Sequence, residues 1–321
     1  MLKSYSIQGS CLVQDDTGVG PEAVWIDLVE PTDEEDALVE RTLGISIPTR
    51  AEAREIEASS RLYRENGVHY MTVFVVYNIE AEVPDGATIT FVLTPDRLVT
   101  IRYHEPKAFP IFTQRATKGE VDCTSAPLLL AGILETIVER AADAIERSQD
   151  EIERIARGIF GARKDSRNYA RRLDVVLRGI GRQGDITARL EEGAFSLDRM
   201  LAYLTTVLKE RGSASAALAR IDVARGDVRS LAEQMRFLTT RTNFLLDATL
   251  GAISIEQNKA MKVFSLLAVT LMPPTLVGAI YGMNFKHMPE LEWISGYPLA
   301  LVVMLLSGLL PYLFFRWRGW I

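Results

Sequence analysis

The residues most able to do chemistry sit near the C-terminal end of the 321-residue chain, and they are oxygen donors and small side chains. Asn258, Met261, Ser265, Ala268, Met272, Thr275 and Ala279 recur at alternating steps of three and four, which keeps them on one stripe of a helix. Leu266, Leu267, Leu271, Leu276 and Ile280 fall elsewhere around it. A stripe of small and mildly polar residues in an apolar helix serves close helix packing or lines an aqueous route. Met261 and Met272 would supply apolar constrictions of the kind that gate by dewetting. Asn284 closes the segment. It is either a turn residue after the helix or one member of a ring of amide oxygens. Neutral amides and carbonyls suit a small, hard divalent cation that gives up its water reluctantly, because they hold the hydrated ion without trapping it. Glu290, a few residues on, is either a solvated loop carboxylate or a concentrator of cations.

These residues need positioning elements, and the charge pattern supplies them. No charged residue lies between Lys262 and Lys286, or between Glu292 and Arg316, so each gap runs 23 residues. At about 1.5 Å of rise per residue that is roughly 35 Å, enough to cross a hydrocarbon core of about 30 Å. Two membrane spans, about 262–282 and 296–315, are expected; a buried soluble hairpin is the alternative. Lys259 and Lys262 precede the first span, Arg316 and Arg318 follow the second, and the loop holds Lys286, Glu290 and Glu292. The positive-inside rule puts both ends in the cytoplasm. Tyr281, Trp293 and Tyr297 suit an outer aromatic belt, and Tyr312, Trp317 and Trp320 an inner one.

Tyr281-Gly282-Met283-Asn284, Met288-Pro289-Glu290-Leu291, Trp293 and Gly296-Tyr297 resemble the signature of the CorA magnesium transporters. The similarity extends back through Glu256-Gln257-Asn258 and Met261-Lys262-Val263. It reaches Val24-Trp25-Ile26-Asp27-Leu28-Val29-Glu30-Pro31 and Ile56-Glu57-Ala58-Ser59, strings closest to the proteobacterial members. The resemblance implies a funnel-shaped homopentamer in the bacterial inner membrane, with Mg2+ as cargo and Co2+ and Ni2+ as further cargo. It assigns ion selection to Gly282, Met283 and Asn284, and pore lining to the Asn258 stripe. It also implies that intracellular Mg2+ binds carboxylates between subunits and holds the ring closed; Asp222 and Asp227 on the stalk are the candidates, matched by no motif, and a solvated helix face is the other reading of each. A zinc transporter of the same superfamily is the rival reading, and a non-conducting membrane-anchored sensor is another.

The remainder of the chain bounds these readings. Its formal charge is −6 and its pI near 5.4, which argues against nucleic acid as a partner. No secretory signal is expected from residues 1–16. Cys11 and Cys123 have no metal-ligand spacing and read as cytosolic thiols. P-loop, HExxH and CxxC patterns are absent, so neither an enzyme nor an organic cofactor is expected.

Prolines divide the chain: eight lie from Pro21 to Pro127, five from Pro273 to Pro311, and none between. Since proline disrupts helix interiors, long helices are expected across that gap. Three parts follow: an α/β cytoplasmic domain over 1–127, a helical bundle and stalk over 128–257, and the pore region over 258–321. Within the first, strands are expected at Val24–Leu28 and His69–Asn78, with a hairpin from Thr88–Leu93 and Arg97–Tyr103. A capping box, Thr32 with Glu35, should start a helix ended by Gly44. A second helix is expected from Thr49 to Ser60. Isoleucines 133, 137, 145, 152, 155 and 159 mark an amphipathic helix ending around 158–161. Another should cover 167–209. Ile221, Val228, Leu231, Met235, Leu238 and Leu245 begin a third, running on through the first span to Tyr281, with a kink at Pro273-Pro274.

Overall fold

The computed structural model describes residues 1–321 except 10, 16, 17, 55, 56, 58–60, 79–84, 162–168, 213, 214, 285, 287, 320 and 321. By contacts the chain forms two compact units, residues 1–163 with 175–246, and residues 164–174 with 247–321.

The first unit is built on a mixed seven-stranded sheet in the order β2-β1-β3-β7-β6-β5-β4. The strands are β1 (Leu2–Gln8), β2 (Cys11–Asp15), β3 (Ala23–Val29), β4 (Leu62–Glu65), β5 (Val68–Tyr77), β6 (Asp85–Leu93) and β7 (Leu98–Arg102). Only β3 and β7 pair in parallel; the expected β6–β7 hairpin forms around Thr94, whose hydroxyl accepts from the Arg97 N–H at 2.9 Å. Alternation along each strand splits the core into two layers. Trp25, Met71, Val73, Phe91 and Leu93 face one layer; Ile26, Tyr70, Val92 and Val99 face the other.

The thinner layer is closed by α1 (Asp33–Leu43), which places Val39 in it. Its capping box is present as expected, and Gly44 takes the left-handed conformation, φ 66°, that ends it. The expected helix from Thr49 is corrected. Thr49 and Glu52 do bond reciprocally, but they start only a single 3-10 turn, Glu52–Arg54. Arg50, Ala51 and Glu57 are not helical, and residues 55, 56 and 58–60 of that expectation lie outside the described ones.

The thicker layer is covered by α2 (Ala108–Thr117), α3 (Ala126–Phe160), α4 (Tyr169–Arg211) and the near part of α5 (Ser215–Tyr281). The six isoleucines of α3 are all under 9% exposed, which confirms the face read from their spacing. Ile221, Val228, Met235, Leu238 and Leu245 of α5 are buried, while Leu231 is half-buried. Bidentate Arg220–Glu135 ties α5 to α3, and Asp198 of α4 accepts from both Arg225 and Arg229 at 3.2 Å.

Inside the sheet lies a polar chain the sequence reading did not anticipate. Trp25 Nε1 donates to Thr100 Oγ1 at 3.0 Å, which donates to Asp27 Oδ1 at 2.7 Å. Arg102 grips the same carboxylate through Nε at 3.1 Å and Nη2 at 2.8 Å. Its Nη1 donates to the His104 carbonyl, and the guanidinium lies 4.5 Å from the centre of the Phe109 ring. The parallel β3–β7 register creates this, because it sets Asp27 beside Thr100. A buried pair survives only when its remaining donors and acceptors are filled, as they are here.

Candidate ion-conducting site

The second unit contains the far part of α5 and α6 (Gly296–Trp317), both long and apolar enough to cross a membrane. None of the residues in the apolar window of α5 is buried, and 11% of those in α6 are. A soluble core helix would be mostly buried, so the buried-hairpin alternative does not describe these helices.

α5 and α6 meet along small residues. A Cβ added at Gly308 would lie 3.2 Å from Pro274 Cγ and 3.2 Å from the Thr270 carbonyl oxygen. One added at Gly278 would lie 3.6 Å from Met304 Cε. The half-buried residues of α5 follow this contact: Leu266, Thr270, Pro273, Pro274, Val277, Gly278 and Tyr281. At about 100° per residue they centre roughly opposite the Asn258 stripe. Every residue of that stripe, Asn258, Met261, Ser265, Ala268, Met272, Thr275 and Ala279, is exposed. One chain thus covers one side of its apolar helix with α6 and leaves the small, polar side bare.

The helix continues through Pro273 and Pro274 as a single element. Two prolines remove two N–H donors and free the carbonyls of Val269 and Thr270. Thr275 reinforces the next turn, its hydroxyl donating to the Leu271 and Met272 carbonyls at 3.1 and 2.7 Å. The Thr270 hydroxyl has no partner among the described residues. The Thr275 hydroxyl is therefore engaged by its own backbone, and what it offers the stripe is mainly its small size.

At the end of α5, Gly282 N–H bonds the Gly278 carbonyl at 3.0 Å and Met283 N–H the Ile280 carbonyl at 3.2 Å. Gly282 does not act as a left-handed cap, since its φ lies outside that range; a Cβ there would press on the Gly278 carbonyl at 3.2 Å. Gly282, Met283 and Asn284 are all exposed. Glu290 sits, exposed, in a 3-10 turn, Pro289–Glu292, fixed by a second close approach: a Cβ at Gly296 would come within 2.2 Å of the Glu290 carbonyl oxygen. Trp293 and Tyr297 are exposed near this end and Trp317 at the other; Trp320 lies outside the described residues.

In the first unit, Asp222 and Asp227 are both exposed on α5. Five residues apart, they point about 140° away from one another, so one chain does not bring them together. Among the described residues no group of three or more His, Cys, Asp or Glu side chains could hold a metal ion. Sequence reasoning missed Thr270, Pro274, Gly278 and Gly308 as the packing seam. The signal was there in the four-residue spacing of Thr270, Pro274 and Gly278, which is the spacing of a helix contact face.

The family model described as "CorA-like Mg2+ transporter protein" matches residues 21–317. Magnesium transport protein CorA of Salmonella typhimurium is 36% identical over 304 residues, covering 94% of this chain and 92% of the relative. The protein of the same name from Escherichia coli K12 is 34% identical over 328 residues, covering both chains completely. Among solved structures, the CorA magnesium transporter from Methanocaldococcus jannaschii superposes with a TM-score of 0.74 at 17% identity, covering 100% of this chain and 99% of that one.

Proposed function

This chain belongs to the CorA-like Mg2+ transporter protein family, and from that premise we propose that it carries Mg2+ across a membrane through a ring of its own copies. The observation that carries the reading is the bare stripe of α5 opposite the α6 contact. Small and polar residues facing hydrocarbon gain nothing there, whereas facing the same stripe of other copies they line an aqueous route. Two spans cannot enclose such a route alone. The homopentamer is the assembly implied by the family resemblance.

In this reading Gly282, Met283 and Asn284 form the outer mouth. Asn284 amide oxygens and the turn's carbonyls receive the hydrated ion through its water shell, and Glu290 raises the local cation concentration. Met261 and Met272 narrow the route, and Asn258 lies at its inner end. Both termini face the cytoplasm of a bacterial inner membrane, by the flanking lysines and arginines. Influx then needs no coupled reaction: two charges gain roughly 4.6 kcal/mol per 100 mV, at about 2.3 each. Co2+ and Ni2+ are further cargo. Intracellular Mg2+ holds the ring closed through carboxylates of neighbouring copies, Asp222 and Asp227 being the candidates. Residues 1–127, 128–257 and 258–321 serve as cytoplasmic domain, stalk and pore.

Mg2+ flux into proteoliposomes tests this. Wild-type protein admits Mg2+ under an inside-negative potential, and Asn284→Ala abolishes most of it while the oligomer persists. Flux indifferent to Asn284→Ala, or uptake of zinc without magnesium, overturns the proposal.

A further inference from the structure

An open cleft of about 510 Å³ lies in the first unit where the β4–β5 hairpin and the β6–β7 turn meet the C-terminal end of α4. Asn66 and Gly67 close the hairpin with φ of 48° and 84°, the pair of positive values that a tight two-residue turn requires. This turn sets Arg64 directly across from His69. Opposed residues of an antiparallel pair share one face of the sheet, and their neighbours turn to the other. Arg64 and His69 therefore line the cleft together, while Tyr63 stacks on Tyr70 behind them with ring centres 4.7 Å apart. Glu65 alternates away from Arg64, so it brings no counter-charge to that face.

The end of α4 supplies the facing wall through Val207, Glu210 and Arg211. His69 is buried, and its Nδ1 lies 3.0 Å from the Tyr203 hydroxyl one turn earlier on α4. With that hydroxyl donating to Nδ1, Nε2 keeps the ring hydrogen and is a donor at the cleft wall. Arg211 Nη1 donates to the Thr94 carbonyl at 3.1 Å. Among the described residues neither Arg64 nor Arg211 forms an ion pair, and Arg64 makes no hydrogen bond. Yet the two guanidiniums are close enough to act on one another. Burial and the Arg64 charge hold Arg211 below its usual pKa, against an opposing pull from Asp96. Burial, Arg211 and Arg64 likewise hold His69 below 6.5, with Glu210 opposing, so the imidazole stays neutral. On the lining itself two arginines stand against the single carboxylate of Glu210.

We propose that this cleft binds a phosphate group, held between the Arg64 and Arg211 guanidiniums with the His69 ring as a third donor. Two like charges kept together without ion-pair partners are stabilised by an anion that meets both. A carboxylate carries one charge and meets one planar fork. A phosphate carries roughly −1.5 to −2 at neutral pH and has oxygens for both forks. Pro95 and Val207 add an apolar wall beside the charged groups, suited to the body of a phosphate ester. The site is separate from the ion route and makes no use of its residues.

Titration calorimetry of the full chain in a non-ionic detergent, with EDTA present and ionic strength held constant, tests this. Inorganic phosphate binds saturably, and acetate at the same concentration does not. Arg64→Gln and Arg211→Gln each weaken phosphate about tenfold. Glu210→Gln removes the opposing carboxylate and tightens it. Should Arg211→Gln unfold for want of its Thr94 contact, the exposed Arg64→Gln carries the comparison alone. Adenosine monophosphate in a parallel titration separates the sources: binding tighter than inorganic phosphate assigns an ester whose body covers Pro95 and Val207, and binding no tighter assigns the free anion. An absence of saturable phosphate binding, equal binding of acetate, or phosphate affinity unchanged in both Arg64→Gln and Glu210→Gln overturns the proposal.

Discussion

The two units of this chain put their decisive residues in opposite places. In the first, what matters is inside: Trp25, Asp27, Thr100 and Arg102 are all within 3% of full burial, and α5 hides Ile221, Val228 and Leu238. In the second, the residues of interest on the same helix are on the outside, from Asn258 to Ala279. Water tolerates a small polar surface and punishes an apolar one; hydrocarbon does the reverse. An exposed serine, alanine or threonine is therefore uninformative in the first unit and is a demand for a further partner in the second.

The contrast can be broken by substitution. The largest expected effect is Asp27→Ala, which strands the Arg102 guanidinium at 3% exposure. Removing one partner of a buried pair costs about 3–5 kcal/mol, so the folded protein should be lost or its melting point should fall sharply; Asp27→Leu with Arg102→Met should restore much of it. Next, the same change at two sites of one helix sharpens the comparison. Leu238→Ala, at 1% exposure, should cost about 2–5 kcal/mol, while Leu276→Ala, at 61%, should stay within about 0.5 kcal/mol in thermal unfolding. Equal costs would refute the division into inward and outward faces. Gly308→Val should then cost about 1–3 kcal/mol, because its side chain meets Pro274 and the Thr270 backbone at 3.2 Å.

A further expected effect is a pH dependence confined to the first unit. Burial, with the Arg102 charge beside it, pushes the His104 pKa from 6.5 down to about 4. The unfolded chain therefore binds the proton first, and stability should fall as pH drops from about 6.5 toward 4. His104→Gln should flatten that slope in melting curves recorded across the window, and an unchanged slope would assign it elsewhere.

How much of this was readable follows from periodicity. The spans, the long helices and the capping box at Thr32 were legible because each is local: charge gaps, three-four spacing, and one reciprocal pair. α2 was not among the expected elements; its Pro110 stands in the first turn, where no N–H partner is lost, so a proline there is no bar to the helix. β1, with the sequence LKSYSIQ and a mostly half-buried pattern, lacks a clean alternation. The Asp27–Arg102 pair depends on a parallel register between residues more than seventy apart, which no window on the sequence contains. For the candidate ion route, residue types and stripe were legible; the seam against Gly308 that leaves the stripe bare needed both helices in place.

The central claim is that the Asn258 stripe faces water in the assembled protein. Cysteine scanning tests it most directly, in protein whose Cys11 and Cys123 are replaced by serine. Ala268→Cys lies on the stripe, and Leu267→Cys, nine residues from Asn258 and so on the other side of the helix, serves as the control. A small charged thiol reagent should modify Ala268→Cys and cut Mg2+ flux into proteoliposomes, while Leu267→Cys stays unreactive and conducting. Should Ala268→Cys resist the reagent, or both positions react alike, the stripe faces lipid and the account fails.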